Sequence, residues 1–158
     1  MKKIINPYDN ELNMCFGCGK KNPVGLKLQF EESISHLRAR WQPSETYEGY
    51  PNVLHGGIIA ALLDEIGAWC ISVKVGTAGV TNEINIKYLN PVYINRGEIE
   101  LEAEVAEQTD KKAKIICRLF EGTKLCAEAV AVYSIFPPEV ARRKFRYPGK
   151  EAFYESEP

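Results

Sequence analysis

The sequence predicts an α+β fold in which one long apolar helix forms the core of a curved antiparallel sheet. Three observations predict it. Residues 57–75 repeat apolar side chains at helical spacing on nearly every side, the pattern of a buried helix. The chain after it switches to a period of two in four successive runs. Short turns link those runs, which makes the sheet an antiparallel meander. A sheet that curls around such a helix buries it.

The elements follow in chain order. Residues 1–24 read as an N-terminal extension holding the one CxxC of the chain, Cys15 and Cys18 in "MCFGCGKKNP". "GLKLQFEE" (25–32) and "SHLRARWQ" (35–42) alternate apolar and polar residues and predict a strand pair with its turn across Glu32 to Ser35. "PSETYEGYPNV" is a loop by its prolines, glycine and small polar residues. Within 57–75, Ile59, Leu63, Ile66, Cys70 and Val73 recur at helical spacing, and Ile58, Leu62 and Trp69 widen the apolar face. Ala60, Ala61, Gly67 and Ala68 are small enough to admit a close neighbour, and the glycines of "VGTAG" supply a C-terminal cap. Strands are predicted at 80–89, 98–108, 112–121 and 124–136, for about six strands in one domain spanning 25–136. Residues 137–158, rich in proline and mixed charge, read as a peripheral tail.

Composition limits the function. The 158 residues are 45% hydrophobic and 26% charged with a formal net charge of −1, so neither nucleic acid nor an anionic membrane is an expected partner. No apolar run reaches the roughly 18–20 residues that span a bilayer. "MKKIINPYDNELN" lacks the apolar core of a signal peptide, and a cytoplasmic location is the expectation. Cys70, Cys117 and Cys126 sit in apolar stretches and read as buried free thiols. Cys15 and Cys18 read as a tight turn with reduced thiols. A four-ligand zinc site there needs two more ligands, for instance across subunits, since His36 and His55 lie far along the chain. No metal and no cofactor are expected.

"HGGIIAALLDE" (55–65) carries the chemistry. This segment resembles the signature of the PaaI-like acyl-CoA thioesterases, relatives of 4-hydroxybenzoyl-CoA thioesterase, which have the hotdog fold. "GVTNEINIKYLNPV" resembles their third strand, and "CFGCGKKNPVGLKLQF" an N-terminal segment of some bacterial members. The likeness spans roughly residues 15–136. It implies thioester hydrolysis on an acyl-CoA substrate by a homodimer or a dimer of dimers. It also implies that His55 shapes the start of the helix and polarises the thioester oxygen or its neighbouring amide, and that the hydroxyl of Thr81 holds the attacking water. Several relatives carry an amide six residues before the histidine. Gly49 stands there in this chain, and Asn52 is the nearest amide.

Physical chemistry assigns the other roles. Gly56 and Gly57 open the helix, where backbone N–H groups lack intrahelical partners and the dipole favours negative charge. The Gly57 N–H is the predicted oxyanion donor, and Gly56 lets a substrate approach the backbone. Asp64 is a carboxylate inside an apolar helix, costly unless paired or functional, and is the predicted base or nucleophile. Glu65 points about 100° away and is expected in a structural ion pair. Gly57 and Asp64 share a helix face but stand ~10 Å apart along its axis, too far for one carbonyl. An antiparallel second copy brings Gly57 of one subunit near Asp64 of the other. Arg96 and the cluster Arg142, Arg143, Lys144 and Arg146 are candidates for the phosphates of CoA. The rival readings are an acyl-thioester dehydratase or hydratase and an acyl-CoA-binding protein without turnover.

Overall fold

The computed structural model describes residues 1–9 and 13–156. Among these, seven strands form one antiparallel sheet: β1 (Lys2–Lys3), β2 (Phe30–Glu32), β3 (Leu37–Trp41), β4 (Gly79–Tyr88), β5 (Ile99–Gln108), β6 (Lys112–Glu121) and β7 (Lys124–Ile135). Their spatial order is β1-β2-β3-β5-β6-β7-β4. The helix α1 (Gly56–Cys70) lies against β3, β4, β5, β6 and β7. The expected helix-in-sheet arrangement is therefore present.

Alternation explains the core. Ile99, Leu101 and Ala103 on β5, Ala113, Ile115, Cys117 and Leu119 on β6, and Ala127, Ala129, Ala131 and Tyr133 on β7 are buried. They meet Ile59, Leu62, Leu63, Ile66 and Cys70 of α1. Each large aliphatic side chain so buried contributes roughly 1.5–3 kcal/mol. The opposite sheet face carries charge pairs, such as Arg38 with Glu102 at 2.6 Å and Arg118 with Glu104 and Glu128, both at 2.9 Å. The α1 axis continues through a π-helical turn, Ile71–Val75, and ends at Gly76, whose φ of +83° suits a residue without a Cβ.

Three expectations are corrected. The strand expected at 25–32 is ladder-paired only over β2, because Lys27 adopts a left-handed φ of 56° and breaks the extension. Leu26 and Leu28 instead donate to Phe16 O and Gly17 O, at 2.7 and 2.9 Å, and so pair with the CxxC loop. The strand β1 was not expected; its two residues pair with Glu31 and Glu32. The C-terminal residues are not a peripheral tail. The helix α2 (Pro138–Phe145) buries Ala141, and Tyr147 and Phe153 are buried beyond it. The ring of Phe153 meets Trp69 edge-on at 5.5 Å, and the Tyr147 hydroxyl donates to Ser72 O at 2.9 Å. The aromatic residues, spaced without a helix or strand period, gave the sequence reading no signal of this burial. No helix among the described residues is long and apolar enough to cross a membrane.

The edge strand β4 differs from its neighbours. Among the described residues it pairs only with β7, and none of its ten residues is buried. Val80 and Tyr88 on it are exposed apolar side chains. A long unpaired edge of this kind is a template for another strand.

Candidate active site

The start of α1 is shaped by its own side chains. His55 is the N-cap, and its Nδ1 accepts the Gly57 N–H at 2.9 Å. A neutral imidazole whose Nδ1 accepts carries its proton on Nε2. The loop before it is tied down by Leu54 N–H to Val92 O and His55 N–H to Tyr47 O, both 2.9 Å. From β4, the Tyr88 hydroxyl donates to Gly56 O at 2.8 Å. A Cβ on Gly56 would lie 3.6 Å from the Tyr88 ring, so glycine keeps this approach open. Two shallow clefts flank the position. One, of about 340 Å³, is lined by Tyr50, Val53, His55 and Gly56; the other, of about 230 Å³, by Gly56, Ile59, Tyr88 and Pro91.

Two turns along α1, Asp64 is half-buried and held by the sheet. Thr81 Oγ1 on β4 donates to Asp64 Oδ1 at 2.8 Å. The Tyr133 hydroxyl on β7 donates to the same oxygen at 3.1 Å and lies 3.0 Å from the Asp64 carbonyl oxygen. Thr81 and Tyr133 are cross-strand partners, so the β4–β7 register delivers both hydroxyls together. A bulge between Thr81 and Glu83 follows at once. Burial, with Cys117 and Asp64 nearby, pushes the Tyr133 phenol far above its usual value, so it remains a donor. Gly67 makes room for it, because a Cβ there would run into the Tyr133 hydroxyl and lie 3.2 Å from Cys117 Sγ. The small residue expected to admit a close neighbour does so for a tyrosine.

Glu65 departs from expectation. It makes no ion pair among the described residues. Its Oε1 accepts from Trp69 Nε1 at 3.0 Å and lies 3.5 Å from Cys15 Sγ. Burial, with the Cys15 sulfur beside it, raises its carboxyl to about 7.

The predicted residues fall into separate groups. Asp64 and Thr81 meet, with Tyr133 added by the structure. His55, Gly56 and Gly57 form a second group, with Tyr88 added. The two groups stand ~10 Å apart along α1. Asn52 belongs to neither. It adopts a φ of 64°, and its amide exchanges two hydrogen bonds with Asn95, at 3.0 and 3.1 Å. That amide closes the loop and does not replace the one that relatives carry six residues before the histidine. Arg96 is paired with Glu121 at 3.1 Å and lies over the Tyr93 ring. Arg142 and Arg143 are exposed in the last turn of α2. Tyr147, just beyond α2, bonds to Ser72 at the far end of α1, ~20 Å along the axis from Gly57. Tyr133 had one sequence signal, a polar tip at an inward position of an apolar strand. Its partner could not be read, because the contact joins residues far apart in the chain.

Known proteins share this architecture. A sequence model of the Thioesterase superfamily matches residues 51–127, from the loop before α1 into β7. A thioesterase structure from Haemophilus influenzae superposes with a TM-score of 0.66 at 22% identity, covering 75% of this chain and 85% of that one. A thioesterase superfamily protein from Shewanella loihica is 28% identical, with a TM-score of 0.60 over 70% of this chain and 91% of its own. A hypothetical thioesterase from Streptococcus pneumoniae, solved with coenzyme A, has a TM-score of 0.64 at 17% identity over 70% and 90% of the two chains. A comparison with curated protein sequences finds no match.

Proposed function

We propose that this chain is a thioester hydrolase of the thioesterase superfamily, whose sequence model matches residues 51–127, and that it cleaves acyl-CoA to the free acid and CoA, with Asp64 as general base. One observation carries this reading. A carboxylate in an apolar helix has a single oxygen, Oδ1, fixed by two hydroxyls from neighbouring strands. Among the described residues, Oδ2 receives no such donor and is the oxygen that faces the reaction. Acyl-CoA as substrate is supported by the coenzyme A held by the Streptococcus pneumoniae neighbour.

The reaction then runs as follows. Asp64 takes a proton from a water molecule, held by the Thr81 hydroxyl, as its oxygen attacks the thioester carbonyl. The carbonyl oxygen becomes an oxyanion at the Gly57 N–H, at the positive end of α1. Collapse of the tetrahedral intermediate breaks the C–S bond. The CoA sulfur leaves with the electron pair and takes the proton from Asp64. In the resting site His55 Nδ1 occupies the Gly57 N–H, so the thioester oxygen displaces the imidazole or shares that N–H. The His55 Nε2–H is a further donor for the same oxygen. A covalent route, in which Asp64 itself attacks, is separated by one turnover in ¹⁸O-water, which labels the aspartate only if an anhydride forms.

The ~10 Å between Gly57 and Asp64 supports a site shared with a second copy. The open β4 edge supports an antiparallel partner that brings Gly57 of one subunit to Asp64 of the other, two sites per dimer. The exposed Arg142 and Arg143 then remain as cations for the CoA phosphates, Arg96 being engaged by Glu121. The test is hydrolysis across a panel of acyl-CoA substrates, read by release of free thiol, for the native chain and Asp64→Asn. Turnover by the native chain, with a loss of ~10²–10⁴ in kcat in the correctly folded variant, is expected. Near-native turnover of Asp64→Asn would remove Asp64 from the mechanism.

A further inference from the structure

The CxxC loop meets α1 at Glu65, about 100° around the helix from Asp64 and its hydroxyl cluster. We propose that Cys15, Cys18 and Glu65 form a binding site for a thiophilic divalent cation, zinc above all, which fastens the N-terminal loop to α1. The site stands apart from the hydrolytic reading and does not depend on it.

Geometry carries the proposal. One ligand atom from each of the three residues lies within 4.8 Å of the other two. Zinc bonded to sulfur at ~2.3 Å and to oxygen at ~2.1 Å in a tetrahedron keeps its ligand atoms about 3.4–3.8 Å apart. The Cys15 Sγ to Glu65 Oε1 distance, 3.5 Å, is already that span. All five cysteines are free, and neither sulfur of the pair is committed to a disulfide.

The loop is shaped around this spot. The Cys18 N–H donates to Cys15 Sγ at 3.4 Å, which favours the thiolate that a metal needs. A Cβ on Gly17 would collide with the Glu65 carboxylate, and one on Gly19 would lie 2.5 Å from Asn13 O and 2.6 Å from Cys15 N. The two glycines of "CFGCG" therefore let the turn close and the carboxylate reach the sulfurs. Metal-bound carboxylates are in turn hydrogen-bonded by a neighbour, and Trp69 Nε1 donates to Glu65 Oε1 at 3.0 Å. Cys18 is buried, whereas Cys15 and Glu65 are half-buried, so a water completes the tetrahedron from their side.

The experiment measures the metal directly. The reduced full chain, expressed with zinc in the medium, is assayed by elemental analysis, then stripped and refilled with Co²⁺ in the presence of reductant. About one zinc per chain is expected. With Co²⁺, an intense thiolate-to-metal absorption and tetrahedral visible bands are expected. Cys15→Ser with Cys18→Ser should abolish both signals. Glu65→Gln should weaken Co²⁺ binding, and it covers the case in which loss of the cysteines unfolds the loop. Trp69→Phe keeps all three ligands and should lower affinity ~10-fold or more through its lost N–H. A reduced, folded chain that takes up neither metal would overturn the site. So would metal retained undiminished in the double cysteine variant or in Glu65→Gln.

Discussion

Asp64 and Glu65 are adjacent carboxylates on one helix, and their surroundings have almost nothing in common. Asp64 faces the sheet, where two hydroxyls from paired strands approach one of its oxygens. Glu65 faces a loop from the other end of the chain, among two sulfurs and an indole. The turn of about 100° per residue is the cause, since it sends neighbours to different sides of α1. Two hydroxyls fix one oxygen of a carboxylate and set its orientation. Thiols and a tryptophan make a pocket suited to a soft cation. The same functional group is thus given two chemistries by what packs against it.

The widest gap between the two sides should come from a mixing experiment. Asp64→Asn and a bulky residue at Gly57, where a Cβ would stand 3.0 Å from His55 Nδ1, should each be inactive alone. Exchange of subunits should restore about half of native activity per heterodimer, because a site shared across two copies leaves one of two sites intact. Absence of recovery after confirmed exchange would place each site within one subunit. Next in size, Tyr133→Phe removes a donor from Asp64 and leaves the Asp64 carbonyl without that partner. A loss of about 1–3 kcal/mol in stability is expected by urea denaturation, together with a roughly tenfold lower kcat, equivalent to about 1.4 kcal/mol. Unchanged kcat in a destabilised chain would make Tyr133 a packing residue only. Thr81→Val keeps the strand and deletes one hydroxyl. A kcat about fivefold lower is expected, the equivalent of one hydrogen bond of about 1 kcal/mol, and an effect confined to KM would exclude the water-holding role. The smallest effect should come from Arg142→Gln with Arg143→Gln. A few-fold rise in KM for acyl-CoA that fades as salt is added is expected for exposed charges. An unchanged KM at low salt would free the tail of any part in binding CoA.

The two carboxylates were not equally legible in the sequence. Asp64 stood out because a charge interrupts an apolar helical period, and that rule needs only local residues. Thr81 was reached through a likeness to a known strand, and Tyr133 not at all, although both touch the same oxygen. Their meeting depends on the β4–β7 register, which no local pattern encodes. Glu65 carries no such local sign, because the two cysteines it meets, Cys15 and Cys18, lie some fifty residues away in the chain. The same limit applies to the fold. Periodicity placed α1 and the long strands, which bury one face along their length. It overextended the strand at 25–32, where Lys27 alone turns the chain back. It also left Phe153 outside the core, because single aromatic anchors have no period.

The place of β4 at the edge of the sheet also bears on the order in which the molecule is built. Gly79 pairs with Ile135 and Tyr88 with Ala127, so β4 emerges from synthesis well before its only neighbour. Meanwhile β5, β6 and β7 can zip as successive hairpins through local contacts, whereas docking β4 must close the long loop between them. The Thr81 and Tyr133 hydroxyls therefore come together late, after the three-stranded meander exists. Until then the strand that completes the Asp64 cluster is an unpaired edge, and the nascent chain is at its most prone to aggregate.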